Sequence, residues 1–320
     1  MVLGQKRGLR LIQPMPIFKI NNKKLENIKE TKIDVEKDIQ ILTENNLVTI
    51  FGLKVVSTEF ALSNLRIDTL AYNEEAKSFV IIEYKRDRSF SVIDQGYAYL
   101  GLMLNNKADF ILEYNEKMSS NLKRDDIDWS QSRVIFIANS FTTYQEKALN
   151  FKDLPIELWE VKKYDNLTIL YNQLKSADSS ESIKTVSKNK TVESVSREVK
   201  KYSIEDHFKS EWKESRELFD ILREKILALG DNIEEKPNRN YTSYKIGYYL
   251  LVGVHPYRSK LDLHMPKDKD DLKDPDNKVI KIPWEKRGWG KTCYYMLTKP
   301  EEIDYAMFLI KQVYQVLNKN

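Results

Sequence analysis

The run Leu65-Arg66-Ile67-Asp68-Thr69-Leu70-Ala71, then the turn-like Asn73-Glu74-Glu75-Ala76-Lys77, then Ser78-Phe79-Val80-Ile81-Ile82-Glu83-Tyr84-Lys85, decides the reading of this chain. Both outer runs are apolar and strand-like, and the short polar connection between them predicts a hairpin. Residues apart in sequence become neighbours across such a ladder, which sets Asp68 beside Glu83. Alternation along the strand puts Glu83 and Lys85 on one face and Tyr84 on the other. Two carboxylates able to share a hard cation, with a lysine beside the attacking water, are what metal-assisted phosphodiester hydrolysis needs. A solvated, charged strand end would carry the same residues, so the flanking segments have to separate the two readings.

Three flanking features favour a site. Residues Phe90 to Asn105 read as a helix in which Gln95 and Tyr99, four apart, share one face and can point back at the strand end. Upstream, Val35 to Leu47 is amphipathic, with Val35, Ile39 and Leu42 as its expected buried stripe. Glu36 lies in its opening turn, where the helix dipole favours an acid and a role near a metal is equally open. The order along the chain is helix with Glu, strand with Asp, strand with Glu-x-Lys, helix with Gln-x-x-x-Tyr.

With these residues in this order, the region from about Met15 to Leu174 resembles the PD-(D/E)xK nuclease superfamily, and within it the EndoMS/NucS-like endonuclease domain. The resemblance implies a restriction-endonuclease-like mixed α/β sheet flanked by helices. It also implies that Asp68, Glu83 and the main-chain carbonyl of Tyr84 ligate Mg²⁺, or Mn²⁺ in its place, and that Lys85 orients and helps deprotonate the water. Glu36 matches the acid often found on the first core helix. Gln95 and Tyr99 match an element that assists metal or DNA positioning in RecB-like members. Ile67 stands where the motif name has proline, a departure common in the superfamily.

Composition is compatible with this reading without producing it. The chain has 320 residues, 31% charged and 41% hydrophobic, with a formal net charge of +4. That length suggests two domains, each able to bury a core. A modest positive charge permits a polyanionic partner, and only a clustered basic face would be an electrostatic footprint. The candidate clusters are Lys6, Arg7 and Arg10 in the N-terminal arm, and Lys85, Arg86 and Arg88 at the motif. The single cysteine, Cys293, excludes an internal disulfide framework and a multi-cysteine zinc site, and reads as a buried small hydrophobe. His207, His255 and His264 lack zincin spacing. No apolar run approaches a membrane span and no secretory signal is legible, so the expectation is a soluble cytoplasmic protein with no membrane partner.

Three units are expected. Residues 1–175 form the nuclease-like domain, with further strands at Ile17 to Ile20, Arg133 to Ala138, Ile156 to Val161 and Leu167 to Tyr171, and a helix at Tyr144 to Phe151. Residues 176–201, rich in serine, threonine, lysine and glutamate, cannot bury enough apolar area to offset ordering and read as a flexible tether. Val186, Val192, Val195 and Val199 leave room for a short helix there. Residues 202–320 form a second, α+β domain that begins with a Ser203 cap. In it a long helix ends near Gly230, strands follow at Tyr248 to Val254, Lys260 to Met265, Val279 to Ile282 and Thr292 to Leu297, and a last helix starts after Pro300. Gly288-Trp289-Gly290-Lys291-Thr292 is not a phosphate-binding loop, because Glu285 occupies the place of the first glycine and a strand follows.

Residues Tyr202 to Tyr314 resemble a domain of unknown function often described as a predicted transport protein. The likeness rests on Tyr202-Ser203-Ile204-Glu205-Asp206-His207, Glu235-Lys236-Pro237, Lys260-Leu261-Asp262-Leu263 and Gly288-Trp289-Gly290. Transport is hard to reconcile with a chain that has no membrane span. Aromatic residues interleaved with lysine and arginine suit recognition of nucleic acid instead. The expected function is a Mg²⁺-dependent endonuclease acting on DNA rather than RNA, with a recognition or docking module. The alternatives are a nucleic-acid-binding protein of nuclease fold with little turnover, and a scaffold whose second domain recruits a protein partner. A homodimer is compatible with the sequence.

Overall fold

Nine residues, Leu65–Asn73, form β5, and Ser78–Lys85 form β6, paired antiparallel from Asn73↔Ser78 to Thr69↔Ile82. The turn between them is closed by the Asn73 side chain, whose Oδ1 accepts the N–H of Ala76 at 2.9 Å. Every residue of β6 from Ser78 to Tyr84 is buried, as expected of a central strand covered on both faces. The computed structural model describes residues 16–33, 36–63, 65–85, 91–149, 151, 153–174, 182–183, 189–282 and 292–318. The basic arm, Val35, Arg86, Arg88, Val186 and the Gly288 to Lys291 loop lie outside these residues.

Around this hairpin the first sheet is mixed. Ahead of it come β1 (Ile17–Asn21), β2 (Lys24–Ile28), β3 (Glu30–Thr31), α1 (Glu36–Asn45), α2 (Leu47–Phe51) and β4 (Lys54–Leu62). After it come α3 (Val92–Asn105), α4 (Lys107–Met118), β7 (Arg133–Ala138), α5 (Thr143–Ala148), β8 (Ile156–Tyr164) and β9 (Ile169–Leu174). The strand order is β3-β8-β7-β6-β5-β4, with β9 added on β8, while β1 and β2 pair only with each other. Strands β6, β7 and β8 run parallel because helices connect them; β4, β5 and β6 run antiparallel through tight turns. This is the expected mixed α/β sheet flanked by helices.

Helix α3 lies very close to the sheet. A Cβ on Gly96 would come within 2.4 Å of Ile156 Cδ1 and 2.9 Å of Cγ1, so any larger residue would force the Ile156 side chain to move. The start of α3 is fixed by Ser91, whose Oγ accepts the N–H of Asp94 at 3.3 Å. In α1 the buried residues are Ile39, Gln40 and Thr43, whereas Leu42 is 42% exposed. The stripe expected from Val35, Ile39 and Leu42 is therefore displaced: the face turned inward carries Gln40 and Thr43, whose polar groups are hydrogen-bonded. Strand β4 and helices α2 and α4 have no counterpart among the expected elements.

Part of the stretch expected to be a tether is docked. Lys190–Glu198 form α6, with Val192, Val195 and Val199 buried in the core of the first sheet. Asn189 caps it, its Oδ1 accepting the N–H of Thr191 at 2.9 Å. The partner surface is α3 at Gly101, where a Cβ would stand 3.1 Å from Thr191 Cγ2 and 4.0 Å from Val195 Cγ2. A valine stripe of helical spacing reads as weak in an isolated polar segment, and it becomes decisive only when α3 offers a glycine groove.

The second sheet is antiparallel, in the order β10 (Ile233–Pro237), β11 (Thr242–Ile246), β12 (Tyr249–Pro256), β13 (Leu261–Met265), β15 (Thr292–Leu297), β14 (Ile280–Ile282). Two helices, α7 (Lys213–Leu227) and α8 (Ile303–Leu317), pack Leu218, Phe219, Leu222, Leu309, Ile310 and Val313 into its core. Residues Ile204–His207 form a single 3-10 turn capped by Ser203 and Asp206 rather than the start of a long helix. His207 is buried with its ring nitrogens on Asn238 O (2.6 Å) and Thr242 Oγ1 (3.1 Å), a structural role. Helix α7 ends at Leu227, ahead of Gly230, and Gly230 serves instead a close approach to Tyr314. No helix among the described residues is long and apolar enough to cross a membrane.

Replacing Gly101 by leucine should push α6 off α3 and lower stability by about 1–3 kcal/mol. Amide exchange resolved by segment should then lose its protection across 190–198. Retained protection in the variant would mean that α6 does not depend on this groove.

Candidate functional site

At the end of the β5–β6 hairpin the main chain and two carboxylates interlock. The Asp68 N–H donates to Glu83 Oε1 at 3.2 Å, and the Tyr84 N–H donates to Asp68 Oδ2 at 2.9 Å. The Lys85 ammonium donates to Glu83 Oε2 at 3.0 Å. Strand alternation produces this grouping: Glu83 and Lys85 point to one face, while the Tyr84 ring packs on the other with Ile39, Ile82 and Ile137. The three expected side chains, Asp68, Glu83 and Lys85, are thus brought together with the Tyr84 main chain.

Glu83 is only 1% exposed. Burial and the neighbouring Asp68 carboxylate push its pKa up to about 7, against the opposing pull of Lys85. Asp68, less enclosed, is also raised, mainly by burial and further by Glu59 and Glu36, although the Tyr84 N–H pulls it down. Exposed Glu36, in the first turn of α1, therefore adds charge to the site from a distance.

The α3 face arrives as expected. Tyr99 is buried and its hydroxyl donates to Arg66 O at 3.2 Å. Burial and the nearby Glu83 carboxylate push its phenol above the usual range. One turn earlier on the same face, Gln95 Oε1 is buried and among the described residues has no hydrogen-bond partner. The Gly96 contact with Ile156 is what holds both side chains at this height over the sheet.

Further residues belong to the site without a motif to mark them. Gln40 of α1 donates to the carbonyl of Asp68 at 3.0 Å and to Glu44 at 3.1 Å, tying α1 to β5. Glu59 sits at a left-handed position of β4 (φ 56°) and is ion-paired with Lys37 at 3.0 Å and with Arg66. Burial pushes Glu59 up, but Lys37 and Arg66 outweigh it and hold the carboxyl below its usual range. The only sequence signal for these positions is helical phase, since Gln40 lies four residues after Glu36.

The donor set suits a hard divalent cation. Among the described residues no group of three His, Cys, Asp or Glu side chains converges as a metal cage. Two carboxylates are present, so main-chain or solvent oxygens would have to complete the shell. A cation there would offset the repulsion that raises Glu83, and Gln95 Oε1 is an unused acceptor on the adjoining helix.

Comparison with known proteins adds the following. An uncharacterised protein of Haemophilus influenzae is 41% identical over 301 residues, spanning 93% of this chain and 99% of that one. The chain belongs to the family of that protein. A domain-of-unknown-function model, DUF5655, matches residues 204–316, the second sheet with its helices. Among solved structures, a repair endonuclease from Pyrococcus abyssi matches 41% of this chain at 17% identity and a TM-score of 0.24. An EndoMS complex with double-stranded DNA matches 41% at 17% and 0.24, and Pyrococcus furiosus SfsA with Ca²⁺ matches 44% at 14% and 0.24. The chain spans about half the length of the two endonucleases, 49% and 47%. Overlap this slight has no bearing on what the site does.

The raised Glu83 pKa gives a signed pH effect. An acid that binds its proton more tightly when folded contributes stability that is complete below the unfolded value and lost as pH rises to the folded one. In metal-free buffer the parent should lose on the order of 3 kcal/mol relative to Glu83→Gln between about pH 4.5 and 7. Urea denaturation at several pH values reads this. A constant difference between the two proteins across that window would show that Glu83 is not perturbed.

Proposed function

We propose that this protein is a divalent-metal-dependent endonuclease that hydrolyses phosphodiester bonds in DNA. The observation that carries the reading is the closure of Asp68, Glu83 and Lys85 into one hydrogen-bonded group at a strand end, with Glu83 buried. A buried carboxylate beside a second one costs stability, and a fold that needed neither would be more stable with apolar residues there. Such a cost is typical of a group retained for chemistry.

Asp68 and Glu83, with the main chain of Tyr84, would hold the cation. Bound there, Mg²⁺ or Mn²⁺ would supply Lewis acidity and offset charge building on the scissile phosphate. Lys85 has three N–H donors. One is held by Glu83, which fixes the ammonium where another can orient the attacking water. Tyr99 and Gln95, projecting from α3, wall the carboxylates off from solvent and orient the substrate backbone. Exposed Arg66 and Lys37, each paired with Glu59, lie beside the group and suit a passing phosphate. The second sheet, with its aromatic and basic residues, would contribute affinity.

Asp68→Ala, Glu83→Ala and Lys85→Ala should each lower Mg²⁺-dependent cleavage of DNA by about a hundredfold or more while leaving the protein folded. The substrates are single-stranded, duplex, mismatched and branched DNA, with matched RNA for comparison. A second readout is independent of turnover: Mg²⁺ or Mn²⁺ should raise the melting temperature of the parent and not that of Asp68→Ala. Full activity in folded Asp68→Ala, or an equal metal shift in both proteins, would remove this assignment.

A further inference from the structure

A second site lies at the far end of the first sheet, in a cavity of about 510 Å³ between the two sheets. In the parallel ladder Arg133 pairs with Val80, whereas Glu83 pairs with Phe136, so the cavity floor is roughly 10 Å further along the strands from the Asp68–Glu83 group. Its walls come from both units. The first unit contributes Phe51 from α2, Arg133, Glu157 and Trp159; the second contributes Lys236, from β10, and Tyr248, from the turn before β12.

The charges in this cavity do not balance. Glu157 is ion-paired with Arg133 at 2.7 Å and accepts from Trp159 Nε1 at 3.1 Å. Lys245 is ion-paired with Glu75, and Glu235 is taken by the Arg223 fork at 2.7 and 2.9 Å. Lys236 remains: among the described residues its ammonium has no hydrogen-bond or ion-pair partner. Arg133 beside it, and then burial, bring its pKa down to about 8. At the rim Lys200 and Lys201 are exposed and Glu234 is the one unmatched acid among the lining residues described. The half-buried Lys236 ammonium, next to a guanidinium and only partly offset by Glu157 and Glu75, is a favourable place for an anion.

Part of the remaining wall is aromatic. Trp159 and Phe51 meet edge to face with centroids 4.9 Å apart, and Tyr248 packs over Gly52, where a Cβ would stand 3.2 Å from Tyr248 Cβ. Aromatic walls with a cationic floor, in a volume within the usual range for small-ligand sites of about 300–1,000 Å³, fit a planar ring carrying a phosphate.

We propose that the cavity between the two sheets binds a mononucleotide, its phosphate on Lys236 and Arg133 and its base against Trp159, Phe51 and Tyr248. Because the walls belong to both units, an occupant ties the second unit to the first, and nucleotide supply would then set how the two act together. The site is separate from the Asp68–Glu83 group and does not depend on the chemistry assigned there.

The test uses the full chain in metal-free buffer, with a panel of ribonucleoside 5′-monophosphates and triphosphates and with inorganic phosphate, read by thermal shift and titration calorimetry. At least one nucleotide should bind and raise the melting temperature, inorganic phosphate at equal concentration should not, and Asp68→Ala should bind like the parent. Lys236→Met should weaken binding by about tenfold or more, the loss of one charge-assisted contact. Lys236→Arg should keep most of it, which separates lost charge from a damaged fold. No binding by any nucleotide would overturn the proposal. So would equal binding of phosphate alone, an unchanged affinity in folded Lys236→Met, or loss of binding in Asp68→Ala.

Discussion

The buried carboxylate of Glu83 is the constraint around which the first unit is arranged. A charge or a proton at a position 1% exposed has to be met by donors, and three elements meet it. The β5 main chain supplies the Asp68 N–H, the end of β6 supplies Lys85, and α3 brings the Tyr99 ring alongside. Each of these depends on something structural: the paired register of the hairpin, strand alternation, and the absence of a side chain at Gly96. A larger residue at position 96 would press on the Ile156 side chain beneath α3.

The same helix links the site to the rest of the chain. Gly96 faces the sheet and Gly101, five residues on, faces α6, so α3 is gripped on both sides. Beyond α6 the chain stays in contact with the first unit: the Lys200 N–H donates to Ser130 O at 2.8 Å, and the Tyr202 hydroxyl meets Ser130 Oγ at 2.8 Å. Arg239 reaches Asp128 at 3.5 Å, and the Tyr241 hydroxyl donates to Glu75 Oε1 at 3.1 Å. These contacts are polar, a composition typical of faces that can part and re-form. The mononucleotide cavity lies within this polar seam.

Cys293 illustrates how the second unit differs. It is fully buried on β15, and burial pushes its thiol up to about 12, so it packs as a hydrophobe and is not a nucleophile. The histidines there are likewise engaged by neighbours: the ring of His255 stacks on Tyr241 at 4.5 Å, and His264 lies 4.2 Å from His255.

Sequence by itself determined whatever depends on near neighbours. The hairpin and the common face of Glu83 and Lys85 follow from a two-residue period, and the shared face of Gln95 and Tyr99 from a helical one. The last helix, the strands β12, β13 and β15, and the Ser203 cap were legible for the same reason. Tertiary structure alone decided the rest, because it joins residues far apart in sequence through contacts with no periodic trace. Gln40 is polar yet buried because the Asp68 carbonyl takes its donor, which displaces Leu42 from the expected stripe of α1 while Ile39 stays buried. Glu59 enters the site through a left-handed residue of β4 that carries no local signature in the sequence. The α6 valines pack against α3 where Gly101 leaves room, and Lys236 is brought beside the Arg133 guanidinium because two sheets meet there. Burial and electrostatic pairing are properties of the assembled chain, so no local pattern can announce them.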